Sequence, residues 1–569
     1  MTIIDWIVLF GTLFTIVGFG VWKTRQNQTA NDYLRGGNSM NWFTIGLSVM
    51  ATQASAITFL SAPGLGFEKG LRFVQFYFGL PLALIIVSAF FIPLYYRAKV
   101  YTAYEFLENR FDLKTRLLAA SLFLVQRGLA AGLTIFAPAI ILSTLLGWNL
   151  NFTNFFVGTL VIIYTVSGGT KAVSLTQKWQ MGIILLGMAL AFGILLYKIS
   201  GFTDLSSAMK LAGSTGRLEI LDLDWDLNER YTVWSGLTGG FFLALSYFGT
   251  DQSQVQRYLT GRNIKESRLG LMFNAIIKIP MQLFILFTGV LVFIFYLYVK
   301  PPLFFNETAL ENIEGTEYRE RLEEIDGRYD VHYEDLQQKR QAYTDARGSD
   351  NIAARKTEFK DAVARDTEIR TDVKNLLLEA NPTFKIKDTN YVFLTFVMNY
   401  LPIGVVGLII ALIFSAAMSS TSGELNALAT TSSVDFYQRL AGKPASEKQQ
   451  VLISKLLTVL WGILAISFAL AAQLFDNLIE MVNLLGSLFY GTILGIFVVA
   501  FFLKKIKANA VFYAALLAEA IVLLIHLGRV YKVELIMRYE VEYLWYNVIG
   551  CGLVLMFAFL FNQFSSKEN

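Results

Sequence analysis

Cysteine and histidine are almost absent from this chain, which has one Cys (Cys551) and two His (His332 and His526) in 569 residues. A disulfide framework needs cysteines in pairs, and a zinc cluster or thiol–imidazole catalysis needs more of both. Metal and nucleophile enzymology are thereby set aside. Charge is also sparse: Asp, Glu, Lys and Arg make up 16% of the chain, against about a quarter in soluble domains. The net charge of +4 is spread over the whole length, so no concentrated basic face is available for nucleic acid. No glycine-rich phosphate loop of the Walker A type occurs, which excludes an ATP-driven pump as far as one chain can. The first apolar run has no basic segment before it and no small-residue cleavage site behind it, and reads as a retained helix.

What the chain has in quantity is apolar surface. Hydrophobic residues are 54% of the sequence and the mean hydropathy is positive, so lipid must cover much of it. Crossing roughly 30 Å of hydrocarbon takes about 20 residues of helix. Runs of that kind lie near 2–22, 41–63, 73–96, 115–146, 152–168, 179–199, 232–256, 269–299, 389–421, 450–472, 476–503, 511–528 and 543–562. The expected fold is an all-α polytopic membrane protein of about thirteen spans. Loops after the odd-numbered spans carry Lys23, Arg25, Arg35, Arg97, Lys99, Arg110, Lys114, Arg116, Lys171, Lys178, Arg257, Arg262, Lys265, Arg268, Arg439, Lys443, Lys448, Lys504, Lys505 and Lys507. By the positive-inside rule these face the cytoplasm, with the N-terminus outside and the C-terminus inside the cell's inner (plasma) membrane.

The second to sixth and the seventh to eleventh spans form two sets of five, and an odd count makes the second set run inverted to the first. The expected organisation is an N-terminal extra helix and loop (1–40), a first repeat (41–199), an outer loop (200–231), a second repeat (232–503) and two C-terminal helices (504–569). Residues 303–388 interrupt the second repeat with dense charge of both signs and almost no apolar run of membrane length. Their spacing suits an extracytoplasmic hairpin of two helices, with Gly348, Ser349, Asp350 and Asn351 as the turn. A partner-binding element or lid is the functional alternative, and a solvated hairpin is the reading preferred.

Two segments are too polar for plain lipid-facing helix. The second span holds Ser48, Thr52, Gln53, Ser55, Thr58 and Ser61 ahead of Pro63, Gly64 and Gly66, and the ninth ends in a hydroxyl run from Phe414 to Gly423. Small and hydroxyl residues let helices approach closely. The same residues also supply carbonyl and hydroxyl oxygens for a hard alkali cation without burying net negative charge, and freed carbonyls at membrane depth are tolerated where they line a cavity or bind an ion.

The chain resembles the sodium:solute symporter family. The likeness rests on Tyr33-Leu-Arg-Gly-Gly37 with Trp42 and Gly46-Leu-Ser48, on Tyr101 to Phe111, on Gly168-Gly-Thr-Lys-Ala-Val173, on Gln252 to Arg257, and on the serines at 419 and 420. It implies a leucine-transporter-type core of five plus five helices and sodium-coupled symport of a small-molecule solute. Sodium is the expected coupling ion, with no organic cofactor. By matching positions, the sodium ligands would be the carbonyls of Ala51, Ala54 and Ala416 and the hydroxyls of Ser419 and Ser420. Relatives with a second sodium hold it with an Asp and two serines, where this chain has Gln177, Ser422 and Gly423, so one sodium per solute is expected. The family's sugar carriers use a Gln and a Glu where Thr58 and Tyr77 stand here, so plain glucose-type recognition is not intact.

Thr58, Gln75, Tyr77, Asp251, Lys278 and Asn483 are the expected solute-binding set. Intramembrane ionisable residues are costly and are usually paired or functional, so Asp251 and Lys278 read as a salt-bridged pair, a substrate clamp, or both. Gln126 and Arg127 read as a second, structural polar pair. A sugar or sugar derivative leads as the solute, with a small organic anion such as a monocarboxylate or vitamin as the alternative. A channel or sensor built on the same spans is the rival class.

Overall fold

The computed structural model describes all residues except 25–28, 227–228, 315–316, 347–348, 383–387, 442–445, 472–477, 534–540 and 566–569. Arg25, Gly348, Lys443 and the span edges expected at 472 and 476 lie outside the described residues. The described residues are helical and loop, with one isolated bridge, Met40 to Gly261, as the only extended pairing among them. Among the described residues, ten helices are each long and apolar enough to cross a membrane, and one bent pair counted as a single span makes eleven.

The principal helices are α1 (Ile3–Thr24), α2 (Trp42–Gln53), α3 (Ala56–Lys69), α4 (Arg72–Ala98), α5 (Leu113–Leu146) and α6 (Leu150–Ser200). They continue with α7 (Phe241–Thr250), α8 (Gln252–Leu259), α9 (Ile264–Tyr296), α10 (Arg319–Asp345), α11 (Ile352–Ala380) and α12 (Val405–Thr431). The last four are α13 (Glu447–Ala471), α14 (Leu478–Phe502), α15 (Ala508–Val530) and α16 (Trp545–Ser565). Their starts are written in side chains that satisfy free amide N–H groups: Asn41 accepts from Thr44 N at 3.0 Å, Asp112 from Thr115 N at 2.9 Å, and Asn263 from Glu266 N at 3.0 Å.

The fifth and sixth expected spans both lie in the 51-residue stretch α6, which is two helices joined at a kink. At 1.5 Å per residue it is far longer than a bilayer core needs. Gly169 divides it, with φ of 56° and ψ of −166°. A Cβ there would meet the Tyr33 ring at 2.6 Å, so this position requires glycine on both conformational and steric grounds. The ninth expected span is also redrawn. It begins with a short helix (Val392–Tyr400), breaks before Gly404 at φ of 83°, and the serine run then lies inside α12, buried, rather than at the end of a span.

α2 and α3 form the bent pair, 65° apart. The break is at Ala54 (φ −86°, ψ 75°) and Ser55 (φ −78°, ψ 169°). A second break falls at Asp251, whose extended backbone (φ −76°, ψ 119°) separates α7 from α8 while its carboxylate caps α8. The first helix of each set of five is therefore interrupted, as inverted repeats built around a central site require.

α3 and α9 pack backbone to backbone. A Cβ on Gly289 would lie 1.9 Å from the Pro63 carbonyl oxygen, and one on Gly66 would lie 2.1 Å from that of Leu286. Because the obstructing atoms are backbone, a methyl group must push the helices apart. Gly289→Ala is expected to cost about 1–3 kcal/mol, read as a lowered Tm in detergent, and an unchanged Tm would show that this contact is not tight.

The interruption at 303–388 is a helical hairpin, α10 and α11, in accord with the expected helix pair. It builds a small core of its own from residues including Phe304, Leu322, Ile325, Tyr329, Ile369 and Val373. It is less solvated than its composition suggests. Leu336, Phe359 and Ala362 bury into the main core of the protein, Gln337 Nε2 donates to the Leu297 carbonyl at 2.7 Å, and the Arg340 guanidinium lies 3.7 Å from the Tyr298 ring centroid. Amphipathic charge spacing conceals such docking because the aliphatic stems of long charged residues cover apolar surface.

Candidate functional site

A helix end leaves its last carbonyls without partners, and the end of α2 is buried inside the bundle. Ala54 N still closes onto Met50 O at 2.7 Å, but the Ala51 carbonyl accepts from the Ser419 hydroxyl of α12 at 2.8 Å. Ser419 Oγ also lies 3.0 Å from the Ala416 carbonyl, and Ser420 Oγ lies 3.0 Å from the same oxygen. Four of the five expected sodium ligands, Ala51, Ala416, Ser419 and Ser420, thus share one connected oxygen cluster. The fifth, Ala54, sits at the break itself, where its ψ of 75° turns its carbonyl out of the helical direction.

Gln177 of α6 ties this cluster from behind. Its Nε2 donates to the Ser419 carbonyl at 2.8 Å and to Thr52 Oγ1 at 3.0 Å, while its Oε1 accepts from Ser48. An amide nitrogen presents hydrogens, not lone pairs, to this position. A second cation is disfavoured there.

Beside the break lies a cavity of about 120 Å³. Thr58, Tyr77 and Asn483 of the expected solute set line it, together with Ser55, Gln126, Arg127, Tyr247, Glu424 and Tyr490. The other three expected residues do not line it. Gln75 is committed to backbone, its Nε2 donating to the Tyr231 carbonyl at 2.9 Å and its Oε1 accepting from Asp222 N at 2.8 Å. Lys278 is buried behind the wall, 5.4 Å from the Tyr77 ring centroid.

Asp251 does not pair with Lys278. Its Oδ2 accepts from Arg127 Nε at 3.0 Å and from the Tyr490 hydroxyl at 2.6 Å, and its Oδ1 accepts from Ser253 N and Oγ at 2.8 and 2.6 Å. The reason is the break: capping α8 points the carboxylate toward α5 and α14, away from α9. Arg127 is accordingly not a partner of Gln126. Its Nη1 donates to Glu424 Oε1 at 3.1 Å, and its Nη2 contacts both Asp251 and Tyr490. Glu424 was not singled out in the sequence. The available signal was a lone carboxylate inside an otherwise uncharged buried run of α12.

A membrane bundle whose two five-helix sets each open with a broken helix, with carbonyl and hydroxyl oxygens gathered at one break and a polar cavity beside it, has the architecture of a secondary transporter. The chain belongs to the sodium:solute symporter family, whose sequence profile matches residues 33–313 and 377–518. The unmatched stretch between them falls within the hairpin. The chain is 27% identical over 497 residues to the bovine sodium-coupled monocarboxylate transporter 2, covering 86% of this chain and 67% of the relative. It is 24% identical over 566 residues to a sodium/sialic acid symporter of Proteus mirabilis, covering 97% and 93%. A solved sodium-coupled sialic acid symporter, captured outward-open with substrate, superposes with a TM-score of 0.74 at 24% identity, covering 99% of this chain and 98% of that one. The protein is a sodium-coupled transporter of a small organic solute and not an enzyme.

Proposed function

We propose that this chain carries a carboxylated sugar derivative inward with one sodium ion, by alternating access across the inner membrane, with its N-terminus outside and C-terminus cytoplasmic. The observation that carries the reading is the cavity wall. Thr58, Asn483, Gln126 and Tyr247 offer hydroxyl- and amide-bonding groups suited to a polyol, the aromatic rings of Tyr77 and Tyr247 offer flat apolar surface, and Arg127, held by Asp251 and Glu424, sets on the wall a guanidinium that can meet a carboxylate once Glu424 releases Nη1. The sodium/sialic acid symporters among the relatives support it. Sodium binds in this reading at Ala51, Ala54, Ala416, Ser419 and Ser420, where ion and solute share the same break in α2 and α3, so that one favours the arrangement the other needs. A monocarboxylate is the second reading, favoured by the sodium-coupled monocarboxylate transporters among the relatives. A thermal-shift and counterflow screen of sialic acid, neutral sugars, inositols and monocarboxylates in sodium decides. Stabilisation by a carboxylated sugar alone is the expected result, and stabilisation by neutral sugars alone contradicts it.

The hairpin is proposed to be dispensable for the cycle. Its segment is anchored to α3 from just beyond its end, where Thr389 Oγ1 donates to Glu68 at 2.6 Å and Ser61 donates to Asn390 at 2.6 Å. Replacing residues 306–384 by a flexible linker keeps those anchors. Uptake within about twofold of the intact protein is expected, and loss of uptake with normal expression would make the hairpin part of the transport pathway.

A further inference from the structure

We propose that Glu424 is a proton site of this transporter, so that a proton accompanies the carboxylated solute in addition to sodium; this rests on the reading of the solute as an anion. The argument begins with a charge count. Among the described residues Arg127 is the one cation on the cavity wall, and it faces two carboxylates, Asp251 and Glu424, both buried. The cluster therefore carries one negative charge too many for a low-dielectric site, and its guanidinium has no charge to spare for an incoming anion.

The two acids are not equivalent. Asp251 accepts from Arg127, Tyr490 and both the amide and hydroxyl of Ser253, a donor set that holds it as an anion. Among the described residues Glu424 accepts only from Arg127 at 3.1 Å and from Thr134 at 2.9 Å. It also faces the cavity, where Gln126, 1% exposed, has a carbonyl oxygen with no hydrogen-bond partner among the described residues. An unpartnered amide oxygen on that wall calls for a donor carried in by a ligand.

The hydroxyls beside Glu424 accommodate either protonation state by rotation of their hydrogens alone. When it is ionised, the Thr134 hydroxyl donates to Oε2 and accepts from the Thr421 hydroxyl at 3.0 Å. When Oε2 carries a proton, that O–H donates to Thr134 Oγ1, and the Thr134 hydrogen turns to the Ala131 carbonyl, 2.9 Å away. A hydroxyl has one hydrogen and two lone pairs, so it serves both arrangements. The charged and titratable groups facing Glu424 are Arg127 on α5, Asp251 at the start of α8, Tyr247 on α7 and Tyr490 on α14, with Lys278 of α9 behind Tyr77.

The step is balanced. A proton from the outer solution bonds to a Glu424 oxygen, Arg127 Nη1 is released from that oxygen to a solute carboxylate, and after inward opening the proton leaves to the cytoplasmic side as Glu424 returns to Arg127. No electrons change hands.

The test uses the purified full chain in sodium, with sialic acid and pyruvate as probes. Binding heats measured in buffers of different ionisation enthalpy count the protons taken up per solute. The expected result is one proton per solute for the natural protein and for Glu424→Asp, and none for Glu424→Gln where that variant binds; where it does not, the infrared comparison below decides. Binding by the natural protein without proton uptake, or equal uptake by Glu424→Gln, overturns the proposal while leaving the transport function standing. Failure of both probes to bind counts against the proposed solute class, and infrared difference spectra on acidification, taken without solute, then decide for Glu424. A protonated-carboxyl band present in the natural protein and lost in Glu424→Gln supports it, and identical spectra overturn it.

Discussion

Replacing Ser419 and Ser420 together by alanine is expected to abolish sodium stimulation of uptake while leaving a folded, monodisperse protein. Both hydroxyls belong to the one oxygen cluster that joins α12 to the broken end of α2. Their removal takes two ligands from the proposed ion site and leaves the carbonyls of Ala51 and Ala416 without those donors. Loss of ligand-supporting groups alone lowers metal affinity about 10–100-fold, so loss of two ligands should move sodium dependence out of the usable range. Serine and alanine differ by one buried oxygen, so the fold itself should hold. The single variants should show intermediate rises in the sodium concentration for half-maximal uptake. Undiminished sodium dependence in the double variant would move the ion elsewhere.

The second large effect is expected from Arg127→Met. Arg127 is the cation between Asp251 and Glu424, and removing one partner of a buried ion pair is worth about 3–5 kcal/mol because the remaining charge is left without compensation. The variant should show a markedly lower Tm and no solute-dependent stabilisation. Adding Glu424→Gln and Asp251→Asn to it removes the orphaned charges, and should recover much of the Tm without recovering binding. That pattern separates a structural loss from the loss of a solute contact. An unchanged Tm in the single variant would mean that the guanidinium is not the keystone of the cluster.

Much of the architecture is legible from hydropathy because each span must cover its length of lipid with apolar residues and satisfy its backbone internally. The break at Ala54 is legible for the opposite reason: Ser48, Thr52, Ser55 and Thr58 are too many hydroxyls for a lipid-facing surface. Family resemblance then carries five expected sodium ligands to particular positions, and four of those residues meet in space. The break at Asp251 is less visible, since Gly249 to Gln254 reads as a polar end of a span. Only the packing of α7 against α14 and of α8 against α12 shows it lying within the bundle. That break misdirected the pairing of Asp251 with Lys278, because adjacency of spans in sequence does not state which way a helix-capping carboxylate turns. Glu424 escaped notice because the hydroxyl run just before it drew attention to the ion site and away from the cavity face of the same helix.

The central claim is tested most directly by uptake of radiolabelled sialic acid into proteoliposomes containing only this protein, with an imposed inward sodium gradient against an equal potassium gradient. Accumulation above equilibrium in sodium, collapsing when the gradient is dissipated and absent from the Ser419/Ser420 double-alanine variant, is the predicted result. Equal entry in sodium and potassium, reaching only equilibrium, would contradict sodium-coupled transport of this solute by this chain.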